Sequence, residues 1–267
     1  MTTTLVIGGT GTSGRRVARK LRAQDVDVRV GSRTSATRFD WDDDATWMPA
    51  LRGASAAYLT YHPDIGHPDA AEKIAAFAKL AVDGGTQRLV LLSGRGSKHA
   101  QRAEQALAES GAEWTVVRSS FFAQNFDEGM FRDGVRSGEI AFPAGAVAEP
   151  FISADDVADV ALAALTDPGH IGRVYDVTGP RLLTFAEAAE EISQAAGRKV
   201  RYTPITFTEF GQVLAGLGLP DDAVRETVDV FAAILDGRNS HVSDGVRQAL
   251  GRPPIDFADH TRSAAWT

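Results

Sequence analysis

Leu5-Val6-Ile7-Gly8-Gly9-Thr10-Gly11-Thr12-Ser13-Gly14-Arg15-Arg16-Val17-Ala18-Arg19-Lys20-Leu21 is the stretch that decides the fold. An apolar, β-branched run stops at two glycines, and Val17, Ala18 and Leu21 then recur at helical spacing. A strand, a glycine turn and a helix in that order bring backbone close to an anion. Missing side chains allow the tight turn, and free N–H groups with the helix dipole favour negative charge at the helix start. Gly8, Thr10, Gly11, Thr12, Ser13 and Gly14 are therefore expected to seat the pyrophosphate of a dinucleotide.

Outward from that turn the pattern alternates short apolar runs with longer helical periodicity. Strands are expected at Val26 to Val30, Arg38 to Asp40, Ala56 to Tyr61, Arg88 to Leu92 and Trp114 to Val117, with helices over Asp69 to Val82 and Ala100 to Ser110. Too few residues separate the second and third strands for a crossover helix, so a loop or truncated turn is expected there. Past Arg118 strands become sparse and helices dominate. Thr184-x-x-Glu187 and Thr206-x-x-Glu209 each read as a capping box, and Phe185, Ala188, Ala189, Ile192 and Ala196 fall on one helical face, a core stripe. Asp155 and Asp156 read as cap and charge at a helix start. The fold class is α/β: a Rossmann doubly wound parallel sheet with a smaller, mostly helical C-terminal substrate region. Residues 1–150 are assigned to the NAD(P)-binding unit and 151–267 to the substrate region packed on it, with a soft boundary.

In open α/β sheets ligands bind at the carboxyl ends of the strands, so the residues ending each strand are the site candidates. An NAD-selective site usually places a carboxylate after the second strand; here Gly31-Ser32-Arg33 stands instead. Arg33 can pair with a 2′-phosphate that no carboxylate repels, so NADP(H) is the expected cofactor, with Ser32 and Arg33 at its ribose. Asp40 reads either as an adenine contact or as part of an acidic helix start, Asp40-Trp41-Asp42-Asp43-Asp44. Thr60, Tyr61 and His62 end the fourth strand and Ser93 the fifth, near the nicotinamide.

Ketone reduction creates an alkoxide, commonly protonated by a Tyr-x-x-x-Lys pair. None of Tyr58, Tyr61, Tyr175 and Tyr202 has a lysine four residues on. Two options remain: hydride transfer to an acceptor needing no strong general acid, such as an iminium ion or a quinone, or dinucleotide binding without turnover.

Bulk composition narrows the rest. Hydrophobic residues at 43% and charged residues at 24% give a globular chain of 267 residues with ample core. No cysteine is present, which removes thiol catalysis and cysteine-ligated metal, and six histidines without ligand spacing give no metal site. A formal charge of -7 without a basic stripe disfavours nucleic acid and anionic membrane. The start lacks the regions of a signal peptide, so a cytoplasmic place is expected. The partners the sequence admits are a small-molecule substrate and a second copy of the chain in a homodimer.

Gly8-x-x-Gly11-x-x-Gly14 is the glycine spacing of extended and atypical short-chain dehydrogenases. Together with Arg38-Phe39-Asp40-Trp41-Asp42, Leu91-Leu92-Ser93, Ala112 to Arg118, Gln124-Asn125-Phe126 and Gly179 to Phe185, it resembles the NmrA-like members of that group. Within them the chain is similar to bacterial relatives of the festuclavine and agroclavine dehydrogenases. The resemblance implies an NADPH-dependent reductase, whose ergot members reduce a cyclic iminium. It also implies that Phe121, Phe122 and Asn125 border the nicotinamide and substrate, while Phe126 reads as core. Lys98 and His99 lie near a functional lysine of the family; Lys98 is carried as a cofactor residue, and His99 reads better as a surface helix residue than as a proton donor. Ser93, Phe122 and Asn125 are the catalytic candidates. Some NmrA-like proteins act instead as NADP(H) redox sensors, and that is the alternative reading.

Overall fold

The computed structural model describes residues 3–266. Strand β1 (Thr3–Ile7) leads through the glycine turn into helix α1 (Thr12–Arg22), and β2 (Asp27–Ser32) follows. Short β3 (Thr37–Arg38), α2 (Trp47–Leu51), β4 (Ala54–Leu59), α3 (Ala70–Asp83), β5 (Arg88–Gly94), α4 (Lys98–Ala108) and β6 (Glu113–Ser119) complete the alternating part. Next come α5 (Arg132–Ser137), β7 (Glu139–Phe142), β8 (Ala148–Glu149), α6 (Ala154–Thr166) and β9 (Arg173–Val177). The chain ends with β10 (Leu183–Thr184), α7 (Phe185–Ala196), β11 (Arg201–Pro204), α8 (Phe207–Gly216), α9 (Asp221–Ile234), α10 (Gly245–Leu250) and α11 (Phe257–Ser263).

The main sheet has the order β3-β2-β1-β4-β5-β6-β9 and is parallel throughout. Its central strands are apolar on both faces because both are covered: Leu5, Val6, Leu59, Leu89 and Val90 are fully buried. One face packs on α3 and α4 through Ile74, Phe77, Ala78, Ala103 and Leu107. The other packs on α1 and α6 through Val17, Ala18, Leu21, Val157, Ala161 and Ala164. Strand order reverses between β1 and β4, and the crevice outside their carboxyl ends is where such sheets bind ligands.

The link between β2 and β3 is the loop expected from the sequence, and two other details depart from that reading. Between β2 and β3 the turn at 33–36 replaces a crossover: Ser35 Oγ donates to the Val30 and Thr37 carbonyls and accepts from the Ser32 N–H. The chain also returns to the sheet after residue 150, since α6 lies on α1 and β9 pairs with β6, so a boundary at 150 falls between the sixth and seventh strands. Finally, α6 is capped by Ser153, whose Oγ accepts from the Asp155 N–H at 3.2 Å. Asp156, fully buried, accepts from Arg252 at 2.6 Å and the Ile255 N–H at 2.7 Å. Asp155 and Asp156 both stand in the first turn of α6, as expected of charge at a helix start, and Asp156 in addition ties the C-terminal segment down.

The remaining elements enclose a third core. Strands β7 and β11 form a parallel pair and β8 and β10 an antiparallel one, so residues 139–149 and 183–204 hold each other. Both capping boxes form, at Thr184–Glu187 and Thr206–Glu209, and Phe185, Ala188, Ala189 and Ile192 are buried. Phenylalanines dominate this core. Phe126 is fully buried, with ring centroids 5.1 Å from Phe131, 5.3 Å from Phe151 and 5.5 Å from Phe257. Phe126→Ala is expected to lower stability in urea unfolding by about 3–5 kcal/mol, the cost of an aromatic-sized cavity; a loss below about 1 kcal/mol would place Phe126 outside the core.

Candidate dinucleotide site

Gly8, Gly9 and Gly14 of the loop each make a close approach that a Cβ would block. Gly8 has φ 68°, a left-handed conformation, and donates its N–H to the Gly31 carbonyl at 2.9 Å. A Cβ on Gly8 would stand 2.1 Å from Thr60 Oγ1, and one on Gly14 would stand 2.3 Å from the Gly8 carbonyl oxygen. These contacts seat the first turn of α1 directly under the loop. Helix α1 begins at Thr12 behind Gly11, which offers no side-chain cap and donates its own N–H to the Gly8 carbonyl at 2.9 Å, and the first turn holds no acidic residue. Its leading N–H groups are left for an anion, the arrangement a pyrophosphate needs. Thr10 and Gly11 are exposed and Thr12 half-exposed, whereas Ser13 and Gly14 are buried and support the turn from below. Thr60 Oγ1 donates to the Ile7 carbonyl at 3.1 Å, locking the end of β4 to the end of β1.

At the end of β2 the Ser32 hydroxyl accepts from the backbone of Thr34 and Ser35, so it is committed to the local turn. Arg33 is exposed. No carboxylate lies within 4.0 Å of its guanidinium among the described residues, and its Nη2 is 3.3 Å from His62 Nε2. Asp40 holds a turn, accepting from the Asp42 N–H at 3.2 Å, while its carbonyl accepts from Trp47 Nε1 at 2.8 Å. Tyr61 is buried against Trp41, ring centroids 5.2 Å apart, and Trp41 Nε1 donates to the Thr60 carbonyl at 2.9 Å.

Toward the nicotinamide end the structure corrects one expectation. Ser93 is 2% exposed, and its hydroxyl donates to Glu104 Oε1 at 2.6 Å. The same carboxylate accepts from Arg118 Nε at 2.9 Å. Ser93 thus belongs to a buried chain linking β5, α4 and β6, and its hydroxyl does not face the open edge. Phe122 and Asn125 follow β6 in the chain and are half-buried. Lys98 is exposed on the first turn of α4, and His99 Nδ1 is enclosed without a hydrogen-bond partner. Of the four tyrosines, Tyr58 is fully buried, Tyr61 packs on Trp41, Tyr175 shares a hydrogen bond with His170, and Tyr202 donates to the Phe142 carbonyl. No group of potential metal ligands occurs among the described residues.

Residues 8–168 match the NAD(P)H-binding family. This chain belongs to that family. It is 32% identical to the NAD(P)H azoreductase of Xenophilus azovorans, over 98% of this chain and 97% of the relative. It is 29% identical to the agroclavine dehydrogenase of Claviceps fusiformis, over 96% and 95%. The Escherichia coli NADPH-dependent quinone oxidoreductase, solved with NADPH, has the same fold: TM-score 0.75 at 21% identity, covering 97% of this chain and 98% of that one. The resemblance to the clavine dehydrogenases read from the sequence is thereby found, and the protein is an NAD(P)H-dependent reductase by family.

In this family member a cluster that the sequence reading missed closes the site. Buried Arg95, at the end of β5, pairs with Asp176 of β9 at 2.9 Å and donates to the Asn239 and His241 carbonyls at 3.2 and 3.0 Å. Gly96, with φ 78°, lets Asn239 lie flat on the loop. Together they fasten the segment after α9 to the carboxyl edge. The only local signal was an arginine between two glycines, Gly94-Arg95-Gly96; its partners are 81 and more residues away in the chain. Glu149 of β8, 2% exposed, faces the same arginine, and its Oε1 has no hydrogen-bond partner. Burial pushes its carboxyl from 4.5 up to about 7, the positive charge of Arg95 partly offsetting this. From about pH 4.5 to 7 the folded protein holds a proton that the unfolded chain has released, so stability falls as pH rises through that window, by about 3 kcal/mol in all. Glu149→Gln should match the parent protein in urea unfolding at pH 4.5 and exceed it at pH 8; parallel pH profiles would overturn this reading of Glu149.

Proposed function

We propose that this protein is an NADPH-dependent reductase that delivers hydride to a small electrophilic acceptor, an iminium or imine or a quinone, without a Tyr-x-x-x-Lys acid. One observation carries the reading: the uncapped start of α1 lies one strand away from Arg33, a guanidinium with no carboxylate partner. The first suits the pyrophosphate, the second a 2′-phosphate, and charge-assisted hydrogen bonds to a phosphate are among the stronger polar contacts. Gly11, Thr10 and Thr12 would hold the diphosphate, and Arg33 the ribose phosphate. When bound, the nicotinamide supplies the hydride.

The rest of the chemistry falls to positioning. Phe122 and Asn125, at the end of β6, are the side chains assigned to the acceptor, and aligned reactants can account for roughly 7–11 kcal/mol of barrier. An iminium needs no proton donor, because hydride addition leaves a neutral amine; a quinone yields a stabilised phenolate that water can protonate. The tyrosine positions support such acceptors, and the similarity to an NAD(P)H azoreductase and an agroclavine dehydrogenase points the same way.

The test is NADPH oxidation followed at 340 nm with cyclic imines, quinones and simple ketones. Turnover is expected with the first two classes and not with ketones; turnover with ketones alone would overturn the mechanism. In the same assay Arg33→Ser should lower kcat/KM for NADPH by about 10–100-fold and leave NADH unchanged, the range expected for one lost bond to a charged group.

A further inference from the structure

We infer that His62 is the second ligand of the cofactor's 2′-phosphate, opposite Arg33, and that it takes up a proton when that phosphate binds. The inference rests on the NADPH reading above, which assigns the 2′-phosphate to Arg33, and extends it to a residue from a different strand. His62 follows β4 and Arg33 follows β2, the strands that flank β1, so the two side chains lean toward one another over the glycine loop. Their contact, Arg33 Nη2 to His62 Nε2 at 3.3 Å, requires a neutral imidazole accepting through Nε2. Two groups able to carry positive charge thus meet at an exposed place, and no carboxylate lies within 4.0 Å of the guanidinium among the described residues.

The charges around His62 are few. Arg33 opposes its protonation, as does partial burial, which is the larger effect; Asp40 and Asp42 favour it. Asp42 is itself paired with Lys73, which lessens its pull. In the free protein the imidazole is consequently held below its usual range. A phosphate dianion set between the two side chains reverses the balance. It replaces the repulsion from Arg33 with an attraction, and Nε2 changes from acceptor to donor toward a phosphate oxygen. The proton comes from solvent, so up to one proton is consumed per 2′-phosphorylated nucleotide bound, and that affinity must fall as pH rises from the free-state value of the imidazole to its bound-state value, above which it levels off. A nucleotide without the 2′-phosphate gains nothing from the exchange.

Calorimetric titration with adenosine 2′,5′-bisphosphate and adenosine 5′-monophosphate at pH 6.0 and 8.5 tests this, using the parent protein, His62→Gln and Arg33→Ser. Because the bisphosphate titrates too, the informative quantity is the ratio of parent to variant affinity at each pH. For His62→Gln that ratio should be about tenfold for the bisphosphate at pH 6.0 and near one at pH 8.5, with the monophosphate unaffected at both. Buffers of different ionisation heat should report more net proton uptake on bisphosphate binding in the parent than in His62→Gln, the excess being the imidazole's. A bisphosphate ratio near one at both pH values, with Arg33→Ser still weakened, would overturn the role of His62 and leave the NADPH reading intact. Equal affinity of the parent for the two nucleotides would overturn both.

Discussion

Everything at this site depends on the distance between the first helix and the first strand. Helix α1 can direct its opening N–H groups at a ligand only because Gly14 lies against the Gly8 carbonyl, where a Cβ would come within 2.3 Å. Gly8 in turn adopts its positive φ under Thr60, whose hydroxyl holds the Ile7 carbonyl. The loop is thus clamped on one side by β2, through Gly31, and on the other by β4. An anion site made of backbone is as rigid as the strands around it, and here the two flanking strands are the ones that also deliver Arg33 and His62.

A second layer of interactions fixes what lies above that helix. Arg16 bonds Glu128 at 2.8 Å and Asp155 at 3.1 Å, Lys20 bonds Asp159 at 2.6 Å, and Arg252 reaches both Asp156 and Asp159. Most of these groups are partly exposed, so single pairs add little, about 0–1 kcal/mol each. Their arrangement matters more than their sum. Glu128 belongs to the loop after β6 that carries Phe122 and Asn125, so the charges register that loop on the nucleotide helix. Buried Gln124 adds the neutral part, accepting from the Ala154 N–H at 2.7 Å at the start of α6.

What was legible in the sequence was local. The glycine turn, the parallel strands, both capping boxes and the Phe185 stripe depend on residues a few positions apart, and each formed where expected. Ser93 shows the limit. Its place at the end of β5 follows from periodicity, but which way the hydroxyl points depends on Glu104 and Arg118, residues of two other elements. Strand β9 was hidden because Arg173-Val174-Tyr175-Asp176-Val177 mixes charges into a short run, having only one neighbour, β6, at the sheet's edge. Arg95, Glu149, Asp176 and Asn239 were beyond reach for the same reason: each is unremarkable beside its chain neighbours, and their meeting is a property of the topology.

The commitments of the polar groups at the carboxyl edge bear on the chemistry. The Ser93 hydroxyl is taken by Glu104, the Ser119 and Ser120 hydroxyls by the Ser93 and Pro150 carbonyls, and Arg95 by Asp176 and the segment at 239–241. A site whose hydroxyls are already bonded offers little to an acceptor that must be polarised before it reacts. It suits one that arrives electrophilic and needs only to be held. On the proposed reading, the same bonds that deprive the edge of an acid make it stiff, and stiffness is what hydride transfer to a preactivated carbon or ring requires. Occupied serine hydroxyls and rigidity of the edge are then two consequences of one hydrogen-bond pattern.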